Sequence, residues 1–216
     1  MSREVRSVPN SACVVKVGGG RGFIVEQRIR VKVPRVEMPK DLGPGLPKRE
    51  FLKKCRVVVT AAHCLRELPP ANAASSFKER TYPKLLGKLD QAKTEVSAEC
   101  LFADPIADIA VLGCPDEEEL SDEADAFHEL VDNLPVLRIG NARSGRGWVL
   151  SLDGQWVRTT VKVFSDIGCS GLSTDPTKAG MSGSPVLNAA GRAVGVVVLG
   201  RGPQPMLTRN LPGWLL

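Results

Sequence analysis

Three short strings in this chain supply a hydroxyl, an imidazole and a carboxylate: Thr60-Ala61-Ala62-His63-Cys64, Asp108-Ile109-Ala110-Val111-Leu112 and Gly180-Met181-Ser182-Gly183-Ser184-Pro185. A serine hydroxyl is a poor nucleophile at neutral pH. It attacks a carbonyl when a neutral imidazole takes its proton, and the imidazole needs a carboxylate to fix its tautomer and steady the imidazolium. His63, Asp108 and Ser182 offer those three groups in that chain order. The attack builds negative charge on the carbonyl oxygen, and each backbone N–H aimed at that oxygen lowers the barrier by roughly 3 to 4 kcal/mol. A glycine two residues before the serine leaves its peptide N–H unobstructed, so Gly180 and Ser182 are the expected oxyanion donors. Gly183, just after the nucleophile, leaves room for the histidine or the substrate.

Each string alone has a plainer reading. An isolated His followed by Cys is more often structural than catalytic. No Cys-x-x-Cys or His-x-x-x-His spacing lies nearby, so no metal is expected. An Asp before Ile-Ala-Val-Leu is commonly a turn residue, and Asp104, four positions earlier, rivals Asp108. Gly and Ser populate any tight turn. The conjunction of all three strings in one order carries the chemistry.

The order His, Asp, Ser differs from the Asp, His, Ser of subtilisin-like enzymes and the Ser, acid, His of α/β-hydrolases. With its T-A-A-H-C turn after Arg56-Val57-Val58-Val59 and its Gly180 to Pro185 serine turn, the chain resembles the chymotrypsin/trypsin-like serine proteases. Two positions depart from the animal pattern G-D-S-G-G-P. Met181 replaces the Asp that receives a freshly cut N-terminus, and Ser184 replaces a Gly. Gly20-Arg21-Gly22-Phe23-Ile24-Val25 is similar to the G-S-G-F-I-V early strand of the bacterial, HtrA-type branch. The resemblance implies two six-stranded Greek-key β-barrels with the site in the cleft between them, and activity without a zymogen cut. It also implies a substrate pocket walled by Val198, Leu199 and Gly200, with Pro176 at its floor. Asp175 would receive Lys or Arg if that loop is shifted by one residue. Val198 stands where many relatives place a serine that supports the catalytic Asp.

Strand-length apolar runs divided by turn chemistry agree with an all-β fold. Strands are expected at Cys13 to Val17, Arg21 to Glu26, Arg56 to Thr60, Lys84 to Lys88, Thr94 to Phe102 and Ile109 to Leu112. A second set is expected at Val136 to Ile139, Trp148 to Leu152, Gln155 to Phe164, Ser184 to Leu187, Ala193 to Leu199 and Met206 to Arg209. Gly18-Gly19-Gly20 leads into a strand and reads as a hairpin turn, not a phosphate cradle. Val33 to Lys54 reads as a long loop. Residues 116–132 hold nine acids and no Lys or Arg, with Leu120, Phe127, Leu130 and Val131 at helical spacing. The domains expected are therefore a barrel over 1–114 with His63 and Asp108, an acidic helical linker over 115–134, and a barrel over 135–216 with Ser182.

At 216 residues and 43% hydrophobic content, the chain can bury one substantial core or two modest ones. The formal charge is +5, and outside the acidic linker the balance is strongly basic. Its Lys and Arg are scattered, and the single Tyr and absence of a basic-aromatic stripe predict no nucleic-acid partner. No stretch approaches the ~20 apolar residues of a membrane span, and no apolar core follows the charged Met1 to Arg6, so neither membrane nor export is expected. The six cysteines do not reproduce the secreted animal framework and are expected to be mostly reduced, in a cytoplasmic protein. The chain ends soon after its last strand, which predicts no peptide-binding domain of the HtrA kind. The expected function is serine endopeptidase action on a polypeptide substrate without a cofactor. The alternative is a catalytically inactive, protease-like module that holds peptides. A nucleic-acid-associated protein is the weaker third reading. Nothing in the residues specifies an oligomeric state.

Overall fold

The computed structural model describes residues 10–32, 50–70, 75–164, 169–172, 178–198, 207–211 and 215. The first six strands are β1 (Val14–Val17), β2 (Gly20–Lys32), β3 (Glu50–Thr60), β4 (Thr81–Lys88), β5 (Val96–Asp104) and β6 (Ile109–Gly113). They close into an antiparallel barrel in the order β1-β2-β3-β6-β5-β4. The next six are β7 (Gly145–Leu150), β8 (Trp156–Phe164), β9 (Cys169–Leu172), β10 (Pro185–Asn188), β11 (Ala193–Val198) and β12 (Leu207–Asn210). These close a second barrel in the order β10-β11-β12-β9-β8-β7. Closure removes the unpaired edges that would otherwise template association. A single-turn helix α1 (Phe77–Arg80) precedes β4, and α2 (Ser121–Asp132) lies between the barrels in sequence.

The β-branched run Val57-Val58-Val59 is fully or nearly fully buried, as are Phe23-Ile24-Val25 opposite it and Ile109 to Leu112 beyond. These strands alternate side chains between two faces, so burial of consecutive residues means both faces are covered. Each large side chain withdrawn from water there contributes about 2 kcal/mol. In α2 the residues Ala124, Phe127, Leu130 and Val131 form the buried stripe. Asp122 and Glu123 in its first turn suit the positive end of the helix dipole. At its other end the Arg56 guanidinium donates to the carbonyls of Val131, Asp132 and Leu134, adding donors where a helix runs short of them. A cation in β3 thereby fastens α2 to the first barrel.

The structure corrects several element boundaries. Residues expected to form a strand at Val136 to Ile139 instead make two isolated parallel bridges, Val25 with Leu137 and Ile139 with Ala193. This segment is a strap between barrels, with Leu137 N–H donating to Ile24 O at 2.8 Å and Ala193 N–H to Arg138 O at 2.8 Å. The place it was expected to fill belongs to β9, whose Cys-Ser-Gly-Leu sequence carries little strand signal. The loop expected over Val33 to Lys54 yields its last five residues to β3, because the β2–β3 ladder continues unbroken from Gly22↔Thr60 to Lys32↔Glu50. Polar strand ends of this kind hide from a search for apolar runs. Among the described residues no helix is long and apolar enough to cross a membrane.

Among the described residues, Cys13, Cys64, Cys100 and Cys114 carry free thiols. Burial pushes the Cys13 thiol up to about 12, and Cys100 and Cys114 up to about 11. These three are protonated at neutral pH and poor nucleophiles.

Candidate active site

His63 lies on a single 3-10 turn, Ala62–Cys64, directly after β3. Asp108 closes the turn between β5 and β6 with φ 52, a left-handed conformation that Asp tolerates better than most residues. The two turns are joined by three hydrogen bonds. Ala62 N–H donates to Asp108 O at 3.2 Å, His63 N–H to Asp108 Oδ1 at 2.9 Å, and His63 Nδ1 meets Asp108 Oδ2 at 2.6 Å. A carboxylate acceptor at Nδ1 places the ring proton there, which leaves Nε2 with its lone pair free to act as a base. The Asp108 side chain is 19% exposed and that of His63 45%, so the carboxylate is sheltered while the ring edge is open. Asp104 does a different job: its Oδ1 accepts from the N–H groups of Ile106 and Ala107, both at 2.9 Å, and shapes the turn that presents Asp108.

The serine turn is pressed against the first barrel. Ser182 is only 4% exposed, and its carbonyl accepts from Arg21 N–H at 2.7 Å. A Cβ placed on Gly20 would meet Cys64 Sγ at 2.5 Å and Ser182 O at 2.7 Å, so the serine turn and the histidine turn flank the same glycine. Among the described residues no hydrogen bond joins the His63 ring to Ser182 Oγ. Met181, Gly183 and Ser184 each spend their N–H on a protein carbonyl, Lys178, Val197 and Met181 respectively. Gly180 N–H and Ser182 N–H donate to no acceptor among the described residues, and Gly180 holds φ 92. An oxyanion role requires amides without a protein acceptor, and within 180–184 these are the two.

Arg21 is the contributor that the motifs missed. It is 4% exposed, and its guanidinium donates to the carbonyls of Leu150, Ser151 and Leu152 at 3.3, 2.8 and 3.1 Å. Burial lowers the guanidinium's affinity for its proton, and the nearby Asp153 carboxylate offsets part of that. Thr60 Oγ1 donates to Arg21 O at 2.6 Å. One residue thus ties β2, the end of β3, the serine turn and the loop after β7 together. Leu152, held through its carbonyl, reaches within 3.6 Å of the Cβ position of Gly180. An Arg between two glycines in an otherwise apolar strand was the available signal.

Met181 points into the second barrel with Val149, Val161, Val186, Val194 and Val197. Its 6% exposure and the short turn that returns Met181 N–H to Lys178 O at 3.2 Å anchor the serine loop by apolar packing. Met181→Leu conserves apolar volume and is expected to leave the fold within about 1.5 kcal/mol of native stability. Met181→Asp buries an unpaired carboxylate and is expected to cost about 3 kcal/mol or more. Urea unfolding of the two variants beside the native protein checks both values.

Of the expected substrate-pocket residues, Asp175, Pro176, Leu199 and Gly200 fall outside the described residues. Val198 is half-buried at the end of β11 and offers no hydrogen bond, and both Asp108 carboxylate oxygens are already taken by His63. On the first-barrel side a groove of about 640 Å³ runs from Gly180 and Leu152 past Lys16, Arg66, Lys84 and Lys93. Among the described residues no carboxylate lines it.

Comparison with known proteins bears on the family and the fold. The profile of the trypsin-like peptidase domain matches residues 49–196. The serine protease of human pathogenic astrovirus is 15% identical, with a TM-score of 0.52, covering 99% of this chain and 98% of that one. A serine endoprotease from Yersinia pestis is also 15% identical at a TM-score of 0.51, covering 94% of this chain and 64% of its own. The HtrA-type protease AlgW with a decapeptide is 14% identical and superposes less closely, at 0.42, over 93% of this chain and 61% of its own. No curated protein sequence matches the chain. At these identities the structural likenesses speak to the fold alone.

Proposed function

This chain belongs to the trypsin-like peptidase family, and on that premise we propose that it is a serine endopeptidase working through His63, Asp108 and Ser182. The observation that carries the reading is the double clasp of Asp108 on His63, ring and backbone together, at 2.6 and 2.9 Å. Asp108 holds the proton on Nδ1, and Nε2 takes the Ser182 proton as Oγ attacks the peptide carbonyl. The resulting oxyanion is met by the N–H groups of Gly180 and Ser182. His63 then returns the proton to the leaving amine, and water releases the acyl group by the same path in reverse. Digestion of an unstructured protein such as casein tests this. Internal cleavage by the native chain and none by Ser182→Ala supports the proposal, and equal cleavage by both contradicts it.

The cationic groove extends the reading to substrate preference. Polypeptides with Asp or Glu on the flank that enters this groove are the favoured substrates, since four exposed or half-exposed cations border it and, among the described residues, no carboxylate does. Lys84→Glu combined with Lys93→Glu is expected to lower kcat/KM for an acidic peptide roughly tenfold at low salt, and to leave a neutral peptide nearly unchanged. The difference should shrink as salt rises. Parallel kinetics on the two peptides at low and high ionic strength measure it.

A further inference from the structure

We propose that Cys114, Glu117 and His128 form a binding site for a zinc-like divalent cation, remote in function from the peptidase chemistry. Cys114 follows the last residue of β6, Glu117 lies in the turn after it, and His128 projects from α2. Their donor atoms all lie within 4.8 Å of one another. Cys114 Sγ is 3.4 Å from His128 Nε2, and His128 Nε2 is 3.6 Å from Glu117 Oε1. Tetrahedral zinc with ordinary bond lengths separates a sulfur and a nitrogen donor by about 3.5 Å, and a nitrogen and an oxygen donor by about 3.4 Å. The side chains already stand close to that spacing.

The orientation of His128 supports the same conclusion. Its Nδ1 lies 3.1 Å from Asp132 Oδ2, one helical turn further along α2. That bond places the ring proton on Nδ1 and leaves the Nε2 lone pair facing the thiol and Glu117. An outer carboxylate that fixes the tautomer of a ligating imidazole is the common companion of zinc-binding histidines. A thiol, an imidazole and a carboxylate together suit zinc or cobalt(II) better than magnesium or calcium, which prefer all-oxygen sites. Glu117 and His128 are exposed and Cys114 is half-buried, so the cation has a path from solvent and water completes its coordination. On binding, the Cys114 S–H bond is replaced by a metal–sulfur bond and the proton passes to solvent. The ion would bolt α2 to the end of β6. The spacing Cys-x2-Glu-x10-His matches no common zinc pattern, which is why the sequence concealed it.

Titration of the full-length protein with cobalt(II) chloride, followed by competition with zinc chloride, tests the site. A tetrahedral cobalt spectrum with a thiolate-to-metal charge-transfer band, at one ion per chain and reversed by zinc, is expected. Cys114→Ser should abolish the band. Glu117→Gln, a surface change that leaves folding intact, should weaken binding at least tenfold, and Asp132→Asn 10- to 100-fold. The band should persist in His63→Ala, which separates this site from any cation held by the other histidine. An octahedral cobalt spectrum without the band, a band that survives Cys114→Ser, or affinity unmoved by Glu117→Gln would overturn the proposal.

Discussion

Ser182→Ala and His63→Ala are each expected to lower kcat for peptide hydrolysis by about six orders of magnitude while leaving the melting curve near native. The losses should not add in the double variant, because nucleophile and base act as a unit. Asp108→Asn is expected to cost about four orders of magnitude, since the amide favours the wrong imidazole tautomer. In this chain the Asn variant has a second consequence. Asp108 Oδ1 also accepts the His63 backbone N–H, so a side-chain amide nitrogen facing either position disturbs the turn as well as the ring. Steady-state kinetics on a single cleavable peptide, with circular dichroism to confirm folding, gives all three values.

Gly183→Ala is expected to be among the most damaging single-methyl additions in the molecule. A Cβ there would lie 1.8 Å from Arg21 O and 2.6 Å from Thr60 Oγ1, and the residue holds φ 80, so the missing side chain makes room for β2 rather than for the histidine or substrate it was expected to admit. The clash is with backbone, so no rotamer change relieves it. The serine turn must withdraw from β2, breaking the hydrogen bond from Arg21 N–H to Ser182 O and the one from Gly183 N–H to Val197 O. Backbone strain and those two lost bonds together come to about 4 kcal/mol or more. The variant should unfold at clearly lower urea concentration and lose the activity of whatever fraction remains folded. Gly19→Ala, where a Cβ meets nothing within 4 Å, is the matched control and should behave as native.

Much of this protein could be read from local sequence because its elements are short and strongly patterned. Val57 to Val59, Phe23 to Val25 and Ile109 to Leu112 announce strands through β-branched runs, and the acidic segment announces a helix by its apolar spacing. The barrel architecture followed from resemblance at the three motifs. What stayed hidden was set by partners distant in the chain. Val136 to Ile139 has strand composition but finds only single bridges, while Cys169–Leu172 has little strand composition and is recruited by β8 and β12. The role of Arg21 depends on carbonyls about 130 residues away, and no local window contains them. Sequence separates Asp108 from Asp104 only by its place directly before the Ile109 to Leu112 strand; the turn between them is what aims the Asp108 carboxylate at His63.

Exposure of the purified 216-residue chain to a biotinylated phosphonate, followed by intact-mass and peptide mapping, tests whether Ser182 is an activated nucleophile, because the reagent requires such a serine and no knowledge of the natural substrate. One adduct per chain is expected on Ser182, absent in Ser182→Ala and strongly slowed in His63→Ala. A folded protein that takes up no label, or one labelled at Ser182 as fast without His63 as with it, would contradict it.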